Sequence, residues 1–279
     1  MSDLIVAGFV LTLLSLGTFL LGLRIGRRPQ RVAQSAALVI VVSIFAYLAL
    51  GRDAVAWAAV LPVSSLVLLS NPVLPGTGFL AGLAWRTTPG NSIRRAIPCL
   101  AILAIGVFAT VHPLLGQPPF CNDNWQGDVC LQTSESSCSA AAAVTLLRDY
   151  GIESNEREMA DLCLTRRGTT WMGLYRGLKL KTAGTPYDVA VFQGSVEPLR
   201  DLLPGPVIVA VGIPKSGQAP AIYSDEWGWT PGLMHSVLLY EPVGDDRITV
   251  ADPSIGREQW SSEDLRILWR GPALYLVKR

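Results

Sequence analysis

The 279-residue chain is half hydrophobic, has only 16% charged residues and carries a formal net charge of +1. That composition is too apolar for one water-soluble domain, and the near-neutral balance excludes the basic footprint of a nucleic-acid-binding protein. The average conceals a division: residues 1–115 hold 8 Lys/Arg and 2 acids, whereas residues 116–279 hold 15 Lys/Arg and 20 acids.

Residues 4–23, LIVAGFVLTLLSLGTFLLGL, and 32–51, VAQSAALVIVVSIFAYLALG, contain no charge. Further uncharged runs cover 54–85 and extend from Ala96 past Gly116. About 20 apolar residues cross a bilayer as a helix. Four spans are therefore predicted near 4–23, 32–50, 54–71 and 96–115, forming a transmembrane anchor over residues 1–115. The stretch PVLPGTGFLAGLAW at 72–85 is short and interrupted by Pro and Gly, and reads as interfacial or re-entrant. The first run is not a cleaved signal peptide, because no basic segment precedes it and arginines follow it directly.

Arg24, Arg27, Arg28 and Arg31 flank the first connection, and Arg86, Arg94 and Arg95 flank the third. The second connection offers only Arg52 beside Asp53. Arginine-rich connections stay in the cytoplasm. This predicts that the N-terminus and the domain at 116–279 both lie outside it. A fifth span at 72–85 would reverse the side of the domain.

Cys121 and Cys130 bracket CNDNWQGDVC, just beyond the last span. Such a pair can close a small disulfide loop in an oxidising compartment, and two unrelated thiols are the alternative. With an extracytoplasmic domain, the two are expected to be joined. No C-x-x-C occurs, so no zinc site is expected.

Within 116–279, Ser136 or Ser137 can cap a helix from 138 to 149 that Gly151 ends. Residues 155–164 and 169–180 have helical apolar spacing. The period then changes. PVIVAVGI (206–213), HSVLLYE (235–241), RITVADP (247–253) and ALYLV (273–277) read as short strands. Helices followed by an antiparallel sheet make an α+β domain. No phosphate-binding G-x-x-x-x-G-K-[ST] occurs.

Cys138 stands at the head of the first of these helices. Unpaired N–H groups and the helix dipole there favour an anion, which raises the thiolate fraction. A nucleophilic thiol needs a base, and the chain has two histidines. His112 lies at the end of the fourth apolar run, so His235 is the candidate. Asp252, at the end of the next strand across a hairpin, is placed by antiparallel pairing to orient the imidazole. Gln132 can donate its amide, with the Cys138 N–H, to a developing oxyanion. Cys163 has helical apolar neighbours and reads as core. Trp227 and Trp229, just before His235, either line a cleft or anchor a loop.

The segments LQTSESSCSAAAAVTLLRDYG, GTTWMGL, GPVIVAVG, MHSVLLY and VADPSIG, in that order over about 128–278, resemble the peptidase C39 family of papain-like cysteine peptidases. The resemblance implies a papain-like fold with Cys138 as nucleophile, His235 as base, Asp252 as its orienting acceptor and Gln132 in the oxyanion hole. It implies a peptide or protein substrate, no metal and no cofactor. It also implies a bacterial inner or plasma membrane and, as in leader-peptide processing, a separate transporter as partner. The family usually has Gly after the cysteine, where this chain has Ser139. Transpeptidation on the same site, or an idle peptide-binding domain, are the alternatives to proteolysis.

Overall fold

The structure, a computed structural model, describes residues 2–51, 55–196, 199, 205–215, 219–243 and 247–279. The chain forms two compact units, one of residues 1–54 and 65–115, the other of 55–64 and 116–279.

The first unit is helical: α1 (Ser2–Ile25), α2 (Gln30–Ala46), α3 (Leu66–Leu69), α4 (Val73–Thr87) and α5 (Ser92–Val111). Among the described residues, four helical stretches are long and apolar enough to cross a membrane: Ser2–Ile25, Gln30–Gly51, Leu66–Thr87 and Ser92–Leu114. The third corrects the sequence reading. The third candidate runs over Leu66–Thr87 rather than 54–71, and the stretch 72–85, expected to be interfacial, forms its body. Two physical facts explain the difference. Pro72 and Pro75 sit at the helix start, where a missing N–H costs nothing. The glycines serve close packing rather than breakage. A methyl at Gly82 would overlap the Phe19 carbonyl oxygen, and one at Gly22 would overlap that of Phe79, so α1 and α4 meet backbone to backbone. Between α3 and α4, the buried Asn71 accepts from the Val73 N–H at 2.9 Å and donates to the Ala109 carbonyl at 3.3 Å. The break is thus satisfied within the protein.

In the second unit, the hairpin β1 (Asn124–Gln126) and β2 (Val129–Leu131) precedes α6 (Cys138–Asp149), α7 (Glu156–Leu162) and α8 (Trp171–Lys181). A six-stranded sheet follows: β3 (Tyr187–Phe192), β4 (Val207–Val211), β5 (His235–Val243), β6 (Arg247–Asp252), β7 (Gly256–Ser261) and β8 (Trp269–Lys278). The strand order is β3-β8-β4-β5-β6-β7, with every pair antiparallel. Short helices α9 (Ile222–Asp225) and α10 (Ser262–Leu268) lie in the connections. The hairpin turn between β5 and β6, at 244–246, lies outside the described residues.

Central β4, VIVAV, is buried at all five positions, which requires cover on both faces of the sheet. On one face, Val207, Val209, Val237, Leu239, Val250 and Trp260 form a core with Leu265 and Leu268 of α10. On the other lies α6, buried from Ser139 to Leu147. The α+β class is as expected: helices first, then an antiparallel sheet.

Cys121 and Cys130 are free and buried, so the expected disulfide is not formed. Cys121 lies by the Ser137 and Thr133 hydroxyls, and burial pushes the Cys130 thiol up to about 12. Cys163 is core as read, fully buried, with burial pushing its thiol up to about 12.

The glycine packing is testable. Gly82→Ala adds one methyl against Phe19, whereas Gly17→Ala adds one where nothing lies within 4 Å. We expect Gly82→Ala to destabilise the detergent-solubilised protein by about 1–3 kcal/mol, and Gly17→Ala to leave it unchanged. Equal melting temperatures for the two variants would refute the close packing.

Candidate active site

The segment entering α6 is held at several points. Buried Glu156, at the start of α7, accepts from the Thr133 N–H at 2.8 Å and from its hydroxyl at 2.6 Å. Ser137 donates its hydroxyl to the Ser134 carbonyl at 2.8 Å and accepts from the Ser134 N–H at 3.1 Å. The chain turns tightly there, and α6 begins at Cys138. The thiol therefore sits in the first helical turn, where backbone N–H groups have no intrahelical partner. It is half-buried, while the other four cysteines are buried.

His235 opens β5, and Asp252 closes β6. Their strands pair antiparallel, with Leu238 opposite Ala251, which brings the two ends together. His235 Nε2 donates to Asp252 Oδ1 at 2.7 Å. Asp252 is buried, and the same Oδ1 accepts from the Ser254 N–H at 2.7 Å. With Nε2 committed to Asp252, Nδ1 is the ring nitrogen left for the thiol.

The electrostatics are mutual. Burial pushes the Cys138 thiol up, but the hydrogen bond and positive charge of His235 outweigh it, helped by Ser236 N–H and Ser139, and the thiol lies below its ordinary value. Burial pushes His235 down, but the bonds to Asp252 and Cys138 and their charges outweigh it, so the imidazole lies above its ordinary value. Both shifts favour a thiolate–imidazolium pair.

Gln132 joins this group from the other side. Its backbone N–H donates to the Pro253 carbonyl at 2.7 Å, tying it to the end of β6. Its side-chain oxygen accepts from the Ser254 hydroxyl at 3.3 Å, and its amide nitrogen donates to the Ser134 carbonyl at 3.1 Å. One amide hydrogen remains.

Trp229 packs edge-on against His235, with ring centroids 5.7 Å apart, and against Trp260 at 5.8 Å. Trp227 stacks on Trp260 at 6.1 Å. So Trp229 touches the site, whereas Trp227 anchors the loop behind it. Sequence reasoning missed Ser254, whose hydroxyl lies 3.4 Å from His235 Nε2 while bonding Gln132. It also missed Glu156. The Asp-Pro-Ser run signals an Asx turn, but nothing in sequence signals Glu156's reach to Thr133. Among the described residues, no cluster of three or more His, Cys, Asp or Glu forms a metal site.

No curated protein matches the chain. Among solved structures, the peptidase domain of Streptococcus ComA, a bifunctional ABC transporter of a quorum-sensing pathway, matches at 20% identity. That match covers 53% of this chain and 96% of that one, with a TM-score of 0.42. A double-glycine-motif protease from an AMS/PCAT transporter, solved with its leader peptide, matches at 15% identity over 59% of this chain and 100% of that one, TM-score 0.42. The peptidase C39-like domain of a Vibrio parahaemolyticus toxin-secretion ATP-binding protein matches at 14% identity over 53% and 100%, TM-score 0.35. The family model for the peptidase C39 family matches residues 127–279, more than half of the sequence, and the chain belongs to that family.

Proposed function

We propose that the protein is a membrane-anchored cysteine peptidase, with residues 1–115 as the anchor and 116–279 as the peptidase domain. The observation that carries this reading is the 2.7 Å bond between His235 and buried Asp252, next to a half-buried thiol whose pKa is lowered. In this reading the Cys138 thiolate attacks the scissile carbonyl carbon. The carbonyl oxygen becomes an oxyanion held by the Cys138 N–H and the free amide hydrogen of Gln132. The His235 imidazolium then gives its proton to the leaving amine, and the C–N bond breaks. Neutral His235 next takes a proton from water, which attacks the thioester and releases the acid. Asp252 holds the ring and balances its charge throughout.

The His235 side chain is 18% exposed, so the site opens to solvent. Water can therefore reach the acyl-enzyme. A domain that only bound peptide would have no use for the buried carboxylate on the imidazole. Family membership supports a peptide substrate, and through it leader-peptide processing with a separate transporter as partner.

Four spans place both arginine-flanked connections on one face of the membrane, and positive connections are cytoplasmic. In this reading the peptidase domain lies outside the cytoplasm.

Two outcomes check the reading. Cys138→Ala should abolish cleavage without unfolding the domain, and Asp252→Asn should retain residual activity, since Asp252 orients rather than reacts. A Cys138→Ala protein that cleaves at the wild-type rate would refute the mechanism. Separately, an impermeant protease added to intact cells, or to spheroplasts where an outer membrane intervenes, should digest residues 116–279. Protection until lysis would place the domain in the cytoplasm.

A further inference from the structure

Helix α6 lies along β5, and two hydroxyl bonds hold it there. Side chains alternate along a strand. His235, Val237 and Leu239 belong to one face, where Trp229 meets His235 and where Val237 and Leu239 join the core of α10. Ser236 and Tyr240 face α6 instead. Near the helix start, the Ser139 and Ser236 hydroxyls are 2.8 Å apart, and both residues are buried. At its end, the Tyr240 hydroxyl donates to Asp149 at 2.7 Å. Ten residues of helix rise about 15 Å, and four residues of strand rise about 13 Å, so the two bonds span matching lengths.

Between these bonds the first turn of α6 presents Ala140, Ala141, Ala142 and Ala143, all buried. Methyl groups pack closely but interlock weakly along the axis, so apolar contact alone leaves the height of that turn loosely defined. The serine pair fixes it at this end of the helix, as the Tyr240–Asp149 bond does at the other. Each serine immediately follows one of the two reacting residues: Ser139 follows Cys138, and Ser236 follows His235. The Ser139 hydroxyl also lies 4.0 Å from the Cys138 sulfur.

We propose that the Ser139–Ser236 hydroxyl pair is a positioning device that sets the height of α6 on β5, and with it the separation of the Cys138 thiol from the His235 imidazole. The inference rests on the reading of Cys138 and His235 as nucleophile and base. Neither serine touches substrate in it. A displacement of about 1 Å at a reacting pair costs on the order of 100-fold in rate.

The test uses the full-length protein and four variants: Ser139→Ala, Ser236→Ala, the double alanine variant and Ser236→Thr. Cys138 is the one half-buried cysteine, so iodoacetamide alkylation followed against pH reads its titration. Ser236→Ala should shift that titration upward, towards the free-thiol value of about 8.5. It should lower kcat about 10- to 100-fold, with KM within about twofold because substrate contacts are untouched. The double variant should be no worse than Ser139→Ala, because that single change already removes both the serine pair and the Ser139 contact with the thiol. Ser236→Thr restores the hydroxyl and should restore both readouts. The double and threonine variants leave no buried hydroxyl unpaired, so they carry the test if a single alanine variant folds poorly. A depressed wild-type thiol titration that persists in the double variant, with kcat intact and only the melting temperature lowered, overturns this inference alone. A wild-type thiol that titrates as a free one, unchanged in His235→Ala, overturns the peptidase reading and this inference with it.

Discussion

The candidate site depends on one buried carboxylate. Asp252 is 1% exposed, and a buried charge persists only where it is paired and hydrogen-bonded. Its Oδ1 takes both the imidazole N–H of His235 and the backbone N–H of Ser254, each at 2.7 Å. Those bonds fix which imidazole nitrogen faces the thiol, and they raise the affinity of the ring for a proton. Truncating one partner of such a pair leaves the other uncompensated, at a cost of about 3–5 kcal/mol. The register of β5 on β6 therefore matters to stability and to chemistry at once.

The fold gathers His235, Gln132 and Cys138 around the end of β6, each with its own tether. The β5–β6 pairing delivers His235. The Pro253 carbonyl holds the backbone of Gln132, while Glu156 holds Thr133 one residue on. Helix α6 delivers Cys138 and is bonded to β5 through serine at one end and tyrosine at the other. Hydrophobic burial on both faces of the sheet gives these segments a rigid base, but the directional bonds decide where the candidate residues stand.

The four candidate residues are legible in sequence because chemistry narrows the choice. Two histidines leave one plausible base, and a hairpin between two β-rich runs places Asp252 beside it. The α+β order is equally legible from the change of hydrophobic period after residue 180. Edge strand β7, GREQWS, is not, because its exposed and charged positions carry no apolar alternation. Ser254 is hidden for another reason: its bond to Gln132 spans 122 residues. The third apolar helix is misplaced because Pro and Gly mark breaks in water, whereas here Pro72 and Pro75 begin the helix and Gly82 admits a neighbouring backbone. The disulfide is misread because a plausible loop length does not by itself join two thiols, and both are free and buried here.

The central claim is that His235, held by Asp252, lowers the pKa of the Cys138 thiol. The most direct measurement is the rate of Cys138 alkylation by iodoacetamide against pH, in wild type and in His235→Ala. The account predicts a wild-type thiol reactive well below the free-thiol pKa of about 8.5, and a His235→Ala thiol that reacts only as pH approaches that value. Superimposable profiles for the two proteins would contradict it.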